Sequence, residues 1–280
     1  MCGKPKPIRE PTSYEDILDE AEIIGIMLGD GHIATQRGYL RLRVRELDFC
    51  QNFKHLVERV YSIKAPLDNK YYYNCFAYST LIVKRISNMT SNNKEIPLFV
   101  LKGDNNIKAR FLRGFFDSEG SVDVIEHRRQ IVLTQNNEKM LLQIMSLLFD
   151  LGIQSKYLKR KKGSDQILIS LVENLEKYYK LIGFSIGYKG DKLRKAVEYL
   201  QGCKAHEKEK YWLVLRHWLS SKKSLRSSAK EMKMHWETYR SWIYGLKIPC
   251  QVKKDIEFGI IPKDYSELKQ QYGFLPNLTI

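Results

Sequence analysis

The stretch Ile23-Ile24-Gly25-Ile26-Met27-Leu28-Gly29-Asp30-Gly31-His32-Ile33 returns in outline as Phe111-Leu112-Arg113-Gly114-Phe115-Phe116-Asp117-Ser118-Glu119-Gly120-Ser121-Val122. Both copies run apolar, glycine, apolar, apolar, and close on a small residue, an acid and a glycine. An internal repeat governs how the rest of a chain is to be read. Asp30 and Glu119 lie 89 residues apart, and the segments after them correspond: polar strand, apolar helix, second hairpin, final helix. The chain reads as two related halves.

Gly25 with Gly29, and Gly114 with Ser118, are pairs of small residues four apart, so each copy predicts a helix with a side-chain-poor stripe. Helices packed along such stripes at Gly25 and Gly114 come close together. Their C-terminal ends then bring Asp30 and Glu119 side by side. Two neighbouring carboxylates repel unless a cation sits between them, which predicts a hard divalent metal there, magnesium (Mg²⁺) or a substitute such as Mn²⁺. Metal of this kind suits phosphodiester hydrolysis, and two acids allow one cut on each strand. A lone Asp-Gly after an apolar helix reads more simply as a helix end with a left-handed glycine; two copies in corresponding places argue for the site.

Tyr39 to Arg45 alternates strictly, so Leu40, Leu42 and Val44 share one face of a strand while Tyr39, Arg41, Arg43 and Arg45 share the other. Phe53 to Tyr61 predicts a helix, Asp68-Asn69 a turn, and Tyr71 to Tyr78 a strand entering a helix near Leu81. The second half repeats this with a strand over Gln130 to Gln135, a helix from Lys139 to Leu151, a hairpin across Lys161 to Asp165, and a helix from Val172 to Ile182. Asn92-Asn93-Lys94 and Gly103 to Asn106 mark the join. Gly187 to Lys192 and His206 to Lys210 read as hinge material before a third unit. There Tyr211 to Leu219, Ser224 to Met232 and Trp236 to Tyr244 predict helices, the last two separated by Lys233-Met234-His235. Two short helices and a tight turn form a helix-turn-helix arrangement, whose final helix offers Trp236, Thr238, Tyr239 and Arg240 to a major groove. A small three-helix bundle with no nucleic-acid role has the same spacing.

The chain has 280 residues, 43% of them hydrophobic, and a formal charge of +15. That is enough apolar material for a core without staples, and a charge surplus that favours a polyanionic partner. Its five cysteines, Cys2, Cys50, Cys75, Cys203 and Cys250, show no Cys-x-x-Cys spacing, which argues against structural zinc or a disulfide framework. An intracellular location, cytoplasm or organelle matrix, is expected. No apolar run approaches the ~20 residues of a membrane span, and Met1 to Pro11 does not read as a signal peptide. No P-loop, dinucleotide fingerprint or nucleophile–base pair is visible.

Leu112 to Gly120 and Ile24 to Gly31 closely resemble the paired motifs of the LAGLIDADG homing endonucleases in their monomeric, two-repeat form, over roughly residues 14–186. The resemblance implies an α+β fold: two pseudo-symmetric αββαββα halves, residues 14–100 and 101–187, forming a saddle of antiparallel sheets over double-stranded DNA. An all-α helix-turn-helix-like domain, residues 205–280, is appended. It also implies that Asp30 and Glu119 are catalytic metal ligands, with the carbonyls of Gly29 and Ser118 assisting. Candidate DNA contacts are Tyr39, Arg41, Arg43 and Arg45 in the first half. In the second they are Gln135, Lys156, Tyr157, Lys159, Arg160, Lys161 and Lys162. The implied activity is a site-specific, metal-dependent hydrolase that cuts both strands at a long target, encoded in an intron or a free-standing mobile element and working as a monomer.

One departure stands out. Many members carry a basic residue at the end of the second strand of each half, and Glu46 and Asn136 align there, beside Arg45 and Gln135. This favours the alternative, an RNA maturase acting on intron RNA or a DNA-binding regulator on the same scaffold; retention of both acids favours the nuclease. Without a Cys or Ser start and a His-Asn finish, the sequence is not expected to be a protein-splicing element.

Overall fold

A computed structural model describes residues 8–259 apart from 70, 93, 126, 127 and 258. The chain divides into two compact units, residues 1–197 and 198–280. The fold is α+β, with two sheets in the first unit and helices alone among the described residues of the second.

The first unit contains two copies of one αββαββα series. The first is α1 (Tyr14–Leu28), β1 (Gly31–Ala34), β2 (Tyr39–Val44), α2 (Leu47–Tyr61), β3 (Leu67–Asn69), β4 (Tyr73–Tyr78) and α3 (Thr80–Met89). A short helix, α4 (Leu98–Leu101), leads to the second: α5 (Asn105–Glu119), β5 (Gly120–Ile125), β6 (Arg128–Gln135), α6 (Glu138–Asp150), β7 (Lys156–Leu158), β8 (Asp165–Ile169) and α7 (Val172–Leu181). Each half forms a four-stranded antiparallel sheet with the same strand order, β1-β2-β4-β3 and β5-β6-β8-β7. Leu40, Leu42, Cys75 and Ala77 face the core in one, and Ile131, Leu133, Ile167 and Ile169 in the other.

At the centre α1 and α5 approach to backbone contact. A Cβ added to Gly25 would stand 2.2 Å from the Phe111 carbonyl oxygen, and one added to Gly114 would stand 2.3 Å from that of Glu22. No side chain fits between such surfaces. Helix α1 starts from a capping box between Ser13 and Asp16 and is buried from Leu18 to Leu28. It nevertheless carries Asp19, Glu20 and Glu22 in the interior, and each is met by a cation. Arg59 and Arg110 pair with Asp19; Arg110 also reaches Glu22 at 2.7 Å. Arg85 reaches Glu20 at 2.6 Å, with the Tyr61 hydroxyl donating to the same carboxylate at 2.7 Å. Arg110 thus binds the two halves through charges that would be costly to leave unpaired.

Four local expectations are corrected. Asp68-Asn69 belongs to β3, paired with Asn74 and Tyr73, so the reversal follows it. Asn105 and Asn106 open α5, because the Asp104 carboxylate accepts from the N–H groups of Asn106 and Ile107 at 2.9 and 3.0 Å and starts the helix there. Gly187 to Lys192 and His206 to Lys210, expected as irregular hinge material, are helical: both lie within α8 (Gly187–Ser220), 34 residues long. Lys189, Leu193, Ala196 and Val197 recur at helical spacing on its buried face, which outweighs the glycines and charges.

The second unit holds the remainder of α8, then α9 (Leu225–Glu231), α10 (Trp236–Ile243) and α11 (Cys250–Glu257). Its core is Tyr211, Trp212, Val214, Leu215, Ala229, Tyr239, Ile243 and Val252. Residues 260–280 of the expected C-terminal domain lie outside the described residues. No described helix is long and apolar enough to cross a membrane.

The central contact can be tested by thermal and urea unfolding. Gly114→Ala should cost about 2–3 kcal/mol by overpacking. Gly202→Ala, where an added Cβ meets nothing within 4 Å, should leave stability unchanged or raise it by about 0.5–1 kcal/mol.

Candidate active site and nucleic-acid interface

The interlocked helices end together. Gly29 caps α1 with a Cβ position only 2.3 Å from the Cβ of Ser118, so the residues that follow, Asp30 and Glu119, emerge beside one another. Each then enters the first strand of its sheet through Gly31 or Gly120. Both carboxyls are held above their ordinary range. For Glu119 the causes are burial and then the charge of Asp30. For Asp30 they are burial and, more weakly, Glu46, with Lys189 pulling the other way. The Gln135 amide donates to Glu119 at 3.4 Å. This pair resists carrying two negative charges unless a cation joins it.

One cation is already close, and sequence reading missed it. Lys189 is buried, and its ammonium donates to the carbonyls of Asp117 and Gly120 at 2.5 and 2.7 Å. Burial lowers its pKa, while Asp117, Asp30, Glu46 and Glu119 draw it back up. A signal existed: Lys189 shares a helical stripe with Leu193, Ala196 and Val197, an unusual place for lysine. Asp117, inside the second motif, is also buried. The Ser185 hydroxyl and N–H donate to it at 2.6 and 3.1 Å, and burial pushes its carboxyl up to about 6.

Strand register changes the comparison of the halves. Gly31 pairs with Leu42, and Gly120 with Leu133. Leu42 therefore corresponds to Leu133 and, counting on, Arg45 to Asn136. The earlier alignment of Glu46 with Asn136 was one residue out: Glu46 caps α2 as Asn137 caps α6. A base is present at this place in the first half and absent in the second.

On the outer face of the first sheet, Arg43 and Arg45 are exposed and lie over the Tyr72 ring, 4.5 and 5.6 Å from its centre. Arg41 is half-buried, with Nε unpartnered. Tyr39 sits in an aromatic group with Phe76 and Tyr78, ring centres 5.6–5.7 Å apart. In the second half Lys156, Lys159, Arg160, Lys161 and Lys162 are exposed on β7 and the connection to β8. Two residues expected among them turn elsewhere. Gln135 shares the inward alternation of Leu133 and faces Glu119. Tyr157 pairs with core-facing Ile167 and donates its hydroxyl to Asp165 at 2.5 Å.

In the second unit α9 and α10 are joined through Lys233-Met234-His235, with Thr238 and Arg240 exposed. Tyr239 is a correction. It is fully buried and its hydroxyl meets His217 Nδ1 at 3.0 Å, because it falls on the same face of α10 as core residue Ile243. Trp236 is half-buried, with Arg226 over its ring at 5.4 Å.

Such a molecule belongs to the class of two-half α+β proteins that present one acid from each of two symmetry-related helices. More particularly, residues 106–183 match the model of the LAGLIDADG-like domain. Among curated proteins it is 28% identical over 211 residues to glutamine–fructose-6-phosphate aminotransferase of Methanocaldococcus jannaschii, covering 70% of this chain and 19% of the relative. It is 25% identical over 265 residues to the replication factor C small subunit of Thermococcus kodakarensis, covering 90% and 30%. The chain spans under a third of either relative. Solved structures with distant likeness include the homing endonuclease I-WcaI bound to its DNA recognition sequence, at 16% identity, TM-score 0.49, and coverage of 64% of this chain and 88% of that one. Full-length DUF199/WhiA from Thermatoga maritima aligns at 14% identity, TM-score 0.48, and coverage of 83% and 90%.

Lys189→Met should lower unfolding free energy by about 3 kcal/mol, measured by urea titration, since it leaves buried carbonyls and four acids uncompensated. An unchanged midpoint would mean that the ammonium is dispensable to the acid cluster.

Proposed function

We propose that this protein is a metal-dependent endonuclease that hydrolyses phosphodiester bonds on both strands of double-stranded DNA at a long, specific site, acting as a monomer. The observation that carries this reading is the pairing of Asp30 with Glu119 at the joined ends of two equivalent helices. Such a pair is electrostatically unfavourable unless it serves a cation, and its twofold placement suits two strands. The match to the LAGLIDADG-like domain family supports it.

The donors fit a hard cation: both side chains offer carboxylate oxygens, their pKa values are raised by burial, and the Gly29 and Ser118 carbonyls lie at the same helix ends. Among the described residues no three His, Cys, Asp or Glu side chains converge on a metal position, so the remaining ligands would be backbone, water or phosphate oxygens. A bound divalent cation, magnesium or manganese, would neutralise the acids, activate water and stabilise charge developing on the phosphate. Lys189 favours the ionised form of the pair against the effect of burial, and Gln135 orients Glu119. Arg41, Arg43, Arg45, Lys156, Lys159, Arg160, Lys161 and Lys162 supply sheet and hairpin contacts to DNA.

Residues 14–100 and 101–187 are read as the two halves that straddle the duplex. In residues 205–280, the turn between α9 and α10 presents Thr238, Arg240 and the Trp236–Arg226 pair for a helix-turn-helix contact. The relatives' names differ while the shared segment is a minor part of each, which suits a mobile module more than any of those activities. The free, buried thiols of Cys50 and Cys75 suit an intracellular, reducing setting. Asn136, standing where the first half has Arg45, favours a second reading in which the scaffold binds DNA or intron RNA without cutting, as a regulator or maturase.

Incubating a randomised plasmid library with Mg²⁺ should yield discrete linear products. Asp30→Asn and Glu119→Gln should each slow their formation on the order of 10³-fold or more while leaving DNA affinity within a few-fold. Tight binding with no metal-dependent cutting by the wild type favours the second reading. Replacing Arg226 and Arg240 with alanine should weaken binding across all sequences and flatten its salt dependence by about one contact per side chain.

A further inference from the structure

In the first half Gly31, His32, Ile33, Thr35, Ser87 and Asn92 line a cavity of about 390 Å³ between β1 and the end of α3, a volume within the roughly 300–1,000 Å³ of small-ligand sites. Ser87 is 7% exposed, and its hydroxyl finds no hydrogen-bond partner among the described residues. A helical serine or threonine commonly returns its hydroxyl to the carbonyl one turn back, as Thr90 does to Ile86 at 2.8 Å. Burying a hydroxyl without a partner costs stability. One that lines a cavity is placed for a guest.

The repeat supplies the comparison. Strand register makes Gly31 the counterpart of Gly120, and hence Thr35 that of Val124; it also makes Cys75 the counterpart of Ile167. Counting on through two ten-residue helices, Ser87 corresponds to Tyr179 and Asn92 to Phe184. The left-handed residues Ser91 and Gly183, at φ of 48° and 67°, coincide under the same count. Where the second half carries two aromatic rings and an aliphatic side chain, the first carries two hydroxyls and an amide. The Phe184 ring packs on Tyr178, ring centres 5.4 Å apart. The lining at Thr35, Ser87 and Asn92 therefore belongs to this half alone and is not imposed by the repeated frame.

The lining selects the chemistry of the guest. With the His32 imidazole neutral, none of these side chains carries a formal charge, in a chain whose surplus is +15, so the cavity itself offers little to a phosphate or a metal ion. The hydroxyls of Thr35 and Ser87 and the amide of Asn92 each donate and accept, and Ile33 adds an apolar wall. That combination suits the polar edge and flat face of a nucleobase. A phosphate is provided for outside: His32 stands opposite Arg41 across the strands, and the Arg41 Nε has no hydrogen-bond partner among the described residues. We propose that this cavity binds a nucleobase, with Ser87 and Asn92 on its polar edge and Arg41 on the attached phosphate. Its source is a free mononucleotide or an unpaired nucleotide of a bound strand, which costs least to insert. Neither Asp30 nor Glu119 lines the cavity, so the proposal stands whether or not this protein cuts DNA.

Two titrations of the full chain in EDTA test it. AMP, GMP, CMP and UMP are titrated by calorimetry, and a DNA duplex bearing one bulged 2-aminopurine is compared with its fully paired counterpart, the fluorescence of that base reporting its surroundings. A saturable mononucleotide isotherm identifies the free nucleotide as the guest; a preference of about 10-fold for the bulged duplex identifies the bound strand. Ser87→Ala and Asn92→Gly should each weaken whichever signal is seen by about 10-fold, glycine being at ease with the φ of 59° at Asn92. Ser87→Tyr, which installs the residue of the second half, should abolish it. The melting temperature of free Ser87→Ala should be unchanged or higher, because no hydrogen bond is lost. Absence of both signals in the wild type, or a signal that Ser87→Ala and Asn92→Gly leave unchanged, would overturn the proposal without touching the endonuclease reading, which rests on metal-dependent cutting by the acids.

Discussion

Everything at the centre of this molecule depends on the direct backbone contact between α1 and α5. Glycine at positions 25 and 114 lets each helix press against a carbonyl of the other, and the contact extends to Gly29 against Ser118. Because the two helices touch along their whole final turns, the acids that follow them must share one small volume. Close packing of this kind is unforgiving, since a single methylene has nowhere to go. It is also why each sheet begins from the same place: β1 and β5 leave directly from the helix ends.

That placement has an electrostatic consequence. Burial raises both carboxyls, Asp30 raises Glu119 further, and the protein answers with Lys189 from a distant stretch of sequence, fixed on backbone carbonyls rather than on the acids themselves. The interior of α1 follows the same logic on a larger scale. Three buried acids are matched by Arg59, Arg85 and Arg110, each brought from another element. Arg110 lies on α5 and its partners on α1, and the pairing therefore also holds the halves in one relation.

The halves share strand order and register but not surface chemistry. Duplicated backbone fixes where side chains project; it does not fix what they are. Arg41, Arg43 and Arg45 on one second strand stand where Val132, Thr134 and Asn136 stand on the other, so a repeated frame carries different side chains. The second unit works differently. Its aromatic core uses Tyr239 and part of Trp236 for packing, leaving Glu237, Thr238 and Arg240 outward on α10.

Much of this was determined by the sequence alone. Repetition of the glycine and acid pattern defines two halves, strict alternation at Tyr39 to Arg45 defines a two-faced strand, and the small residues four apart define close-packing helices, all because local periodicity is written directly in neighbouring residues. Tertiary structure decided the rest. Glycines and charges at 187–192 looked like a hinge, yet the apolar spacing beyond them continues one helix and buries Lys189 among the acids. Glu46 and Asn136 seemed equivalent until hydrogen-bond register made Arg45 the counterpart. Tyr239 looked like a groove contact until its helix face was seen to be the core. In each case the deciding fact is a partner far away in sequence, and no local pattern encodes which distant atoms a side chain will meet.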